Sequence, residues 1–200
     1  AVLSKKIAAG SSHVVLDIPV GPTAKVRTEE AARRLGDRLV AVAAHFGLAA
    51  TCIRTDGSQP VGRGIGPALE AHDILAVLQN RPDMPADLRN RAAVLAGAAL
   101  EIGGAAEAGA GHALALATLA DGRAWTKFQR ICQAQGGMRE PPRALHVRPL
   151  TAGRAGRIFQ INNRKISQLA KLAGASEAKA AGEEILTQCK HVHDEKDKPI

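Results

Sequence analysis

The chain has 200 residues and a formal net charge of +8, with 46% apolar and 23% charged residues, which is the balance of a globular protein. Alanine supplies 39 of the apolar positions, whereas the chain has three phenylalanines, one tryptophan and no tyrosine. Alanines let helices pack closely but bury little area per side chain. The shortage of aromatic rings nearly excludes the stacking platforms that bind single-stranded nucleic acid.

No stretch reaches the roughly 18 consecutive apolar residues of a membrane span, and the first residues lack the pattern of a secretory signal. We therefore predict a cytoplasmic protein without a membrane partner. Cys52, Cys132 and Cys189 are odd in number and widely separated, which favours reduced thiols. The chain begins without Met and stops in mid-pattern, so we interpret it as a piece of a longer polypeptide.

The first 55 residues predict a strand, a helix and a second strand. Residues 13–18 form a β-branched apolar run before a Pro/Gly loop, and residues 51–55 form the second strand. Between them Thr28 is the predicted cap of the helix. This βαβ order predicts parallel pairing. The helix has an apolar stripe of five residues, namely Ala31, Leu35, Leu39, Val42 and Phe46.

A long helical region follows. The glycine-rich loop at residues 56–66 opens a helix near Pro67, because proline is favoured in the first turn. The helical pattern continues to residue 135, with breaks at residues 81–82, 103–104 and 121–122.

The remainder, after a linker at residues 140–143, is more basic, with 11 Lys and Arg against 6 acids in residues 142–200. It predicts strands at 145–148, 156–161 and 184–187 and a basic helix at 163–173. The fold class is therefore α/β, with a partial parallel or mixed sheet flanked by helices in residues 1–138. A small, truncated α+β domain follows in residues 142–200.

Two motifs near the first strand contain side chains that could bind a ligand or take part in catalysis. Ser4 and Lys5 precede the strand, where an ammonium group can hold an anion or donate to a carbonyl oxygen, although spacing alone favours a solvated helix face. Asp17 stands at the end of the strand. It is either catalytic or, as we favour, an acceptor for the neighbouring loop amides.

The three glycines of residues 62–66 precede a helix, an arrangement that can cradle a phosphate. The loop lacks the Lys-Ser/Thr ending of a nucleotide P-loop and the spacing of the dinucleotide fingerprint. A tight turn that needs positive φ is therefore the favoured interpretation.

Two motifs near the end of the chain suggest a binding function, but for each we favour an interpretation without one. Residues 191–195 gather His191, His193, Asp194 and Glu195, which suggests metal ligands but is typical of a mixed-charge turn. Residues 166–176 resemble the start of a helix-turn-helix module. Its second helix, at residues 177–184, would carry three acids, which repel DNA phosphates.

Three longer passages carry a resemblance. Residues 3–10 (Leu-Ser-Lys-Lys-Ile-Ala-Ala-Gly) lead into residues 15–21 (Val-Leu-Asp-Ile-Pro-Val-Gly). Residues 55–70 read Thr-Asp-Gly-Ser-Gln-Pro-Val-Gly-Arg-Gly-Ile-Gly-Pro-Ala-Leu-Glu, and residues 134–137 read Ala-Gln-Gly-Gly. In this order they resemble the pyrimidine-nucleoside phosphorylase family, which includes thymidine phosphorylase and, in a divergent branch, AMP phosphorylase. The resemblance covers nearly the whole chain and corresponds to the family's C-terminal portion.

The resemblance implies a pentosyltransferase of the thymidine phosphorylase type, which cleaves an N-glycosidic bond with phosphate to give a free base and pentose 1-phosphate. Its ligands are then a nucleoside or nucleotide and inorganic phosphate, with no nucleic acid. In the family the first lysine of Ser-Lys-Lys donates to the base carbonyl, which makes Lys5, with Ser4, the implied substrate-binding residues.

No other cofactor is implied as a requirement. Family members resembling this chain bind potassium through two backbone carbonyls and a carboxylate, at positions that match Val61, Gly64 and Asp73. The phosphate loop, a base-contacting arginine and the dimerising helical domain lie upstream in the family. The resemblance therefore implies a homodimeric full-length protein, no catalytic residue within this chain, and an isolated chain without activity.

Two departures bear on the substrate. Ala1 stands where the family carries a base-contacting serine. Residues 19–27 differ from the Lys-x-Gly-x-Gly-Ala-Phe pattern of most pyrimidine enzymes and look like the AMP-phosphorylase branch, so the alternative reaction converts AMP to adenine and ribose 1,5-bisphosphate. A second alternative, from another class, is a basic nucleic-acid-binding module.

Overall fold

A computed structural model describes residues 2–153, 156, 158–175 and 177–186. These residues form seven helices and four strands, so the predicted α/β class is confirmed. In chain order the elements are α1 (Ser4–Ala8), β1 (His13–Val20), α2 (Glu29–His45), β2 (Ala49–Asp56), β3 (Gly64–Ile65), α3 (Pro67–Leu78), α4 (Ala86–Ile102), α5 (Gly111–Ala120), α6 (Arg123–Ala134), α7 (Asn163–Leu172) and β4 (Glu183–Glu184).

Strands β1 and β2 pair in parallel, as the βαβ order predicts, from His13 opposite Ala49 to Val20 opposite Asp56. The connecting helix α2 begins where its cap was predicted, since the Thr28 hydroxyl accepts a hydrogen bond from the Ala31 amide at 3.2 Å. Parallel strands end at the same edge of a sheet, so the loops that follow Val20 and Asp56 lie side by side.

The face that α2 turns to the sheet differs from the predicted stripe. Its buried residues are the small ones, Ala32, Gly36 and Ala43. A β-carbon on Gly36 would lie 3.4 Å from that of Cys52 on β2, so small residues let the helix approach the sheet closely. Leu35, Leu39, Val42 and Phe46 of the stripe line an apolar groove of about 600 Å³ beside α1, and Leu39 also packs against the core cluster of Leu3, Ala43 and Leu48.

The glycine-rich loop is joined to the end of the described chain by the second sheet. Strand β3 pairs with β4 in antiparallel fashion, with Gly64 opposite Glu184. The Ile185 amide also donates to the carbonyl of Arg63 at 3.0 Å, and the Ala68 amide to that of Lys179 at 3.1 Å. The helices that were expected between residues 67 and 135 are present as α3 to α6, with breaks at the predicted positions.

The predicted strands at 145–148 and 156–161 are wrong within the described chain, where neither segment contains a strand. Leu145 and Phe159 are each 95% exposed. Apolar alternation specifies a strand only when a neighbouring strand and an apolar layer are available to pack against. Neither segment contacts such a strand or layer here. The strand expected at 184–187 is β4, one residue earlier, and residue 187 lies outside the description.

The basic helix is confirmed as α7, capped by Asn162, whose side chain accepts from the amides of Arg164 and Lys165. The division of the chain near residues 138–142 stays a prediction. In the described part, no helix combines the length and apolar character that crossing a membrane requires.

Candidate functional site

One arginine ties the carboxyl ends of β1 and β2 together. Asp17 accepts a hydrogen bond from the Thr55 hydroxyl, with 2.5 Å between Oδ1 and Oγ1. Arg91, from α4, donates through Nη1 to the same hydroxyl at 2.9 Å, and Nη1 lies 3.6 Å from the other Asp17 oxygen. Its Nη2 donates to the backbone carbonyl of Asp56. The Arg91 guanidinium therefore fixes both strand ends relative to α4.

The favoured role of Asp17, acceptance from loop amides, is not what the structure shows. Its carboxylate faces a hydroxyl and a guanidinium instead, because its side chain points to the neighbouring strand and α4 rather than along the loop. The loop-amide role falls to Asp56, whose Oδ1 accepts from the Ser58 amide at 2.8 Å.

Beyond these strand ends lies a cleft of about 980 Å³, which we call the carboxyl-edge cleft. It is lined by the ends of β1 and β2, by the loop around residues 23–26 and by one face of α7. Ligands of open α/β sheets bind at this edge. Its polar lining residues include Asp17, Thr23, Lys25, Asp56, Gln59, Arg91, Asn163, Arg164, Ser167, Gln168 and Lys171.

Two long-range hydrogen bonds hold α7 over the cleft. Asn163 Nδ2 donates to the carbonyl of Gly57 at 2.9 Å, in the loop that follows β2. Arg164 Nε donates to the carbonyl of Thr23 at 3.2 Å, in the loop that follows β1. The first turn of α7 therefore bridges the loops of both strands.

The structure places Ser4 and Lys5 on α1, apart from the residues that line this cleft. Both side chains are exposed, and Ser4 lines the apolar groove between α1 and α2. Val2, just before α1, lines both the groove and the cleft, so α1 starts at the cleft margin. The assignment of Lys5 and Ser4 to a substrate stays a prediction.

The glycine-rich loop is held by carboxylates of its own chain. Asp73 is buried, with 6% of its surface exposed, and its Oδ2 accepts from the amides of Arg63 and Gly64 at 2.6 and 2.8 Å. The Gly62 amide donates to Asp87 at 3.1 Å. Gly62 has a φ of 77°, so the tight-turn interpretation is confirmed, and these three amides serve the loop itself rather than an anion.

The predicted potassium ligands lie around this loop but are divided between two cavities. Val61 lines the carboxyl-edge cleft, whereas Gly64 and Asp73 line a polar cavity of about 450 Å³ beside α3. The Asp73 carboxylate already faces two amides, and its Oδ1 lies 3.6 Å from Nε of Arg63. Because that guanidinium supplies the balancing charge, the donor set does not fit a cation in this arrangement. Potassium stays a prediction, and no chemical step is derived through it.

Metal ligation elsewhere finds no support in the part of the chain that the structure covers, where no three His, Cys, Asp or Glu side chains are grouped to hold an ion. The predicted cluster of His191, His193, Asp194 and Glu195 lies outside the described residues, as does Cys189. The thiols of Cys52 and Cys132 are free, as expected. Burial, with a contribution from the charge of Asp37, raises the pKa of the Cys52 thiol, which keeps it protonated.

Sequence reasoning missed the residues that build the cleft. Arg91 lies in an alanine-rich helix without a motif around it. Asn163, Arg164 and Lys171 were noticed only as part of a basic helix, and their spacing along one helical face was the available sign that they share a surface.

Comparison with known proteins gives one clear group of relatives. The chain is 74% identical over 181 residues to a protein named "Putative thymidine phosphorylase" from Chelativorans sp.. It is 64% identical over 181 residues to a protein of that name from Parvibaculum lavamentivorans, and 60% identical over 184 residues to "Putative thymidine phosphorylase 1" from Acidovorax sp.. No family model matches the chain.

These matches cover 90 to 92% of this chain but only 36% of each relative, so the chain spans about a third of the length of the curated relatives it matches. Within that span the similarity is nearly continuous. The resemblance to the pyrimidine-nucleoside phosphorylase family is therefore confirmed for the portion of those proteins that this chain spans.

Proposed function

We propose that this chain is part of a nucleoside phosphorylase of the thymidine phosphorylase type, to which it contributes α1 and the carboxyl-edge cleft. The observation that carries this proposal is the 74% identity, over 90% of the chain, to a protein named "Putative thymidine phosphorylase". The cleft supports it, because it lies at the sheet edge where α/β proteins bind small ligands.

In the proposed reaction, a phosphate oxygen attacks the anomeric carbon of the pentose while the N-glycosidic bond breaks. The bonding electron pair moves onto the base, which leaves as an anion and takes up a proton. The products are the free base and pentose 1-phosphate. A donor that is strongest when this charge appears lowers the barrier, and the Lys5 ammonium is the group in this chain suited to that task.

Lys5 fits this role by its chemistry and accessibility. Its ammonium group has three donors, and its side chain is exposed on α1, without a hydrogen bond or ion pair to the described residues. The neighbouring Lys6 is also exposed, which makes it a matched control.

The experiment uses a chimera in which this chain replaces the matching segment of the Chelativorans relative. We expect release of thymine from thymidine only when phosphate is present, measured by chromatography of the base. Lys5→Ala should lower kcat/KM about 100-fold, as expected for one lost donor to a developing anion. Lys6→Ala should retain activity. Equal activity of Lys5→Ala and the unsubstituted chimera would contradict the role of Lys5.

The isolated 200-residue chain is expected to release no base, because the family's phosphate loop lies upstream of the portion it resembles. Phosphate-dependent release by the isolated chain would overturn that expectation. Both results are read in the same assay as the chimera.

AMP phosphorolysis is the second candidate. It is favoured by the loop after β1, where Lys25 stands instead of the aromatic residue of most pyrimidine enzymes and lines the cleft. Assay of the chimera with AMP and thymidine in parallel separates the two, since the preferred substrate gives the larger kcat/KM.

The nucleic-acid-binding alternative loses support from the fold. The predicted second helix of a helix-turn-helix module, at residues 177–184, is absent from the described part of that segment, which contains turns and β4. The polar face of α7 also lines a cleft instead of forming a convex surface. A DNA gel shift with submicromolar, strongly salt-dependent binding would favour this alternative.

A further inference from the structure

We propose that the guanidinium group of Arg63 takes the place of the potassium ion that the resemblance implies beside Asp73. The glycine-rich loop then holds its shape without a monovalent metal ion, and removal of the Arg63 side chain makes the loop depend on one. The proposal rests on the contacts of the Asp73 carboxylate and is independent of the reaction proposed for the full-length protein.

One oxygen of the Asp73 carboxylate is enclosed by the glycine-rich loop. Its Oδ2 accepts from the amides of Arg63 and Gly64 at 2.6 and 2.8 Å. A β-carbon on Gly62 would lie 2.9 Å from the same oxygen, so a glycine at this position lets the backbone come this close. Amide hydrogens carry partial positive charge and attract anions. This side of the carboxylate is therefore unfavourable for a metal cation.

The other oxygen of Asp73 faces a cation that belongs to the chain. Its Oδ1 lies 3.6 Å from Nε of Arg63, and Nη2 of the same guanidinium lies 3.9 Å from Oδ2 of Asp83. Nε is buried and has no hydrogen-bond partner in the described chain, so it interacts with Asp73 through charge. The Asp73 side chain is 8% exposed and that of Arg63 is 30% exposed. Burial of this extent limits the screening of the pair by salt.

The backbone fixes the position from which this guanidinium reaches the carboxylate. The Arg63 amide donates to Asp73, and the Arg63 carbonyl accepts from the amide of Ile185, next to β4, at 3.0 Å. Both backbone polar groups of Arg63 are therefore held in place. Because an arginine side chain stays protonated in proteins, it supplies one permanent positive charge at this point.

The two implied carbonyl ligands do not change this balance. Val61 lines the carboxyl-edge cleft, whereas Gly64 lines the polar cavity that Arg63 and Asp73 share. A potassium ion at Asp73 would lie beside the guanidinium, and two positive charges at that distance repel each other. Guanidinium and potassium each carry one positive charge. Either of them balances the buried carboxylate, and this chain supplies the guanidinium itself.

The test compares thermal unfolding of the 200-residue chain in the chlorides of potassium, sodium and choline, at equal ionic strength and in a buffer without other metal ions. We expect the same midpoint temperature in all three salts. A higher midpoint in either metal chloride than in choline chloride would overturn the proposal. No nucleoside is present, so this outcome and that of the chimera assay are separate.

Arg63→Met should have a lower midpoint than the unsubstituted chain in choline chloride, because the buried carboxylate loses the guanidinium beside it. Potassium chloride at about 100 mM should then raise the midpoint of this variant by about 3–6 °C, the shift expected when a ligand is present at about ten times its Kd. Equal midpoints of Arg63→Met in potassium and choline chloride would overturn the proposal, because no cation would then replace the guanidinium.

Arg81→Met is the matched control, because Arg81 lines the same cavity but its Nε donates to Gln79. Its midpoint should be the same in potassium and choline chloride. A potassium response equal to that of Arg63→Met would show a general charge effect and overturn the proposal.

Arg63→Lys keeps the positive charge and should be insensitive to potassium. A response equal to that of Arg63→Met would assign the effect to the shape of arginine instead of its charge, which would also overturn the proposal. Circular dichroism verifies the fold of each variant. If Arg63→Met does not fold, the unsubstituted chain and Arg63→Lys still decide the question.

Discussion

The glycine-rich loop and the carboxyl-edge cleft both gather charged side chains around backbone loops, but they differ in how completely their loop amides and side-chain oxygens are paired. In the glycine-rich loop, Asp73 and Asp87 accept from three consecutive amides, and Arg63 balances the buried carboxylate from 3.6 Å, although its Nε has no hydrogen-bond partner in the described chain. In the cleft, Thr23 and Asn163 keep buried oxygens without partners in the described chain. A paired network rigidifies the fold, whereas an incompletely paired one leaves capacity for a ligand.

The largest effect should come from breaking the paired network. Asp73→Ala removes the acceptor of two amides and leaves the half-buried Arg63 with only the exposed carboxylate of Asp83 nearby. We expect the free energy of unfolding to fall by about 3–5 kcal/mol, the range for loss of one partner of a buried pair. Urea denaturation followed by circular dichroism measures this change.

Asp83→Ala is the matched control, because Asp83 lies 3.9 Å from the same guanidinium but its side chain is 69% exposed. Its loss should be under about 1 kcal/mol. Similar losses in the two variants would break the contrast between the loop and the exposed surface.

A smaller effect is expected at the cleft. Arg91→Met removes the donors to Thr55 and to the Asp56 carbonyl, and we expect a loss of about 1–2 kcal/mol. The loss is smaller than at Asp73 because water in the cleft can replace the donors, and Asp17 keeps its bond to Thr55. The measurement is the same denaturation experiment, with the exposed Arg34→Met as control. A loss as large as that of Asp73→Ala would mean that the cleft is as tightly built as the loop.

The parts of the fold that the sequence predicts are those with local causes. Thr28 caps α2 through an amide three residues away, and Pro67 stands in the first turn of α3. Parallel pairing of β1 and β2 follows from the helix between them. Each of these features is set within a few residues or within one βαβ unit.

The cleft has no such local cause. Arg91 reaches a partner 36 residues away, Asn163 one 106 residues away and Arg164 one 141 residues away. No periodicity in one segment encodes contacts at these separations. The wrong strands at 145–148 and 156–161 have the same origin, because alternation describes the segment but not the neighbour it needs.

The smallest expected effect concerns Cys52, on β2. It tests whether the contact between α2 and β2 stays closed to water even though β2 ends in the cleft. Cys52 on β2 lies against Gly36, and its thiol donates to the Gly36 carbonyl at 3.8 Å. Burial raises the pKa of this thiol above its ordinary value of 9.0. Above that pH the unfolded chain loses the thiol proton first, so the thiol's contribution to stability should fall as pH rises and level off beyond the folded pKa.

The difference in unfolding free energy between the unsubstituted chain and Cys52→Ala, measured under reducing conditions from pH 8 to pH 10.5, should therefore decline with pH. A constant or rising difference would show that α2 does not shield the thiol. The decline should persist in an Arg91→Met background, because that substitution loosens the strand end without separating α2 from β2. If the difference no longer declined with pH in that background, the cleft and the sheet interior would open together. The contrast between a rigid scaffold and an open site would then not hold.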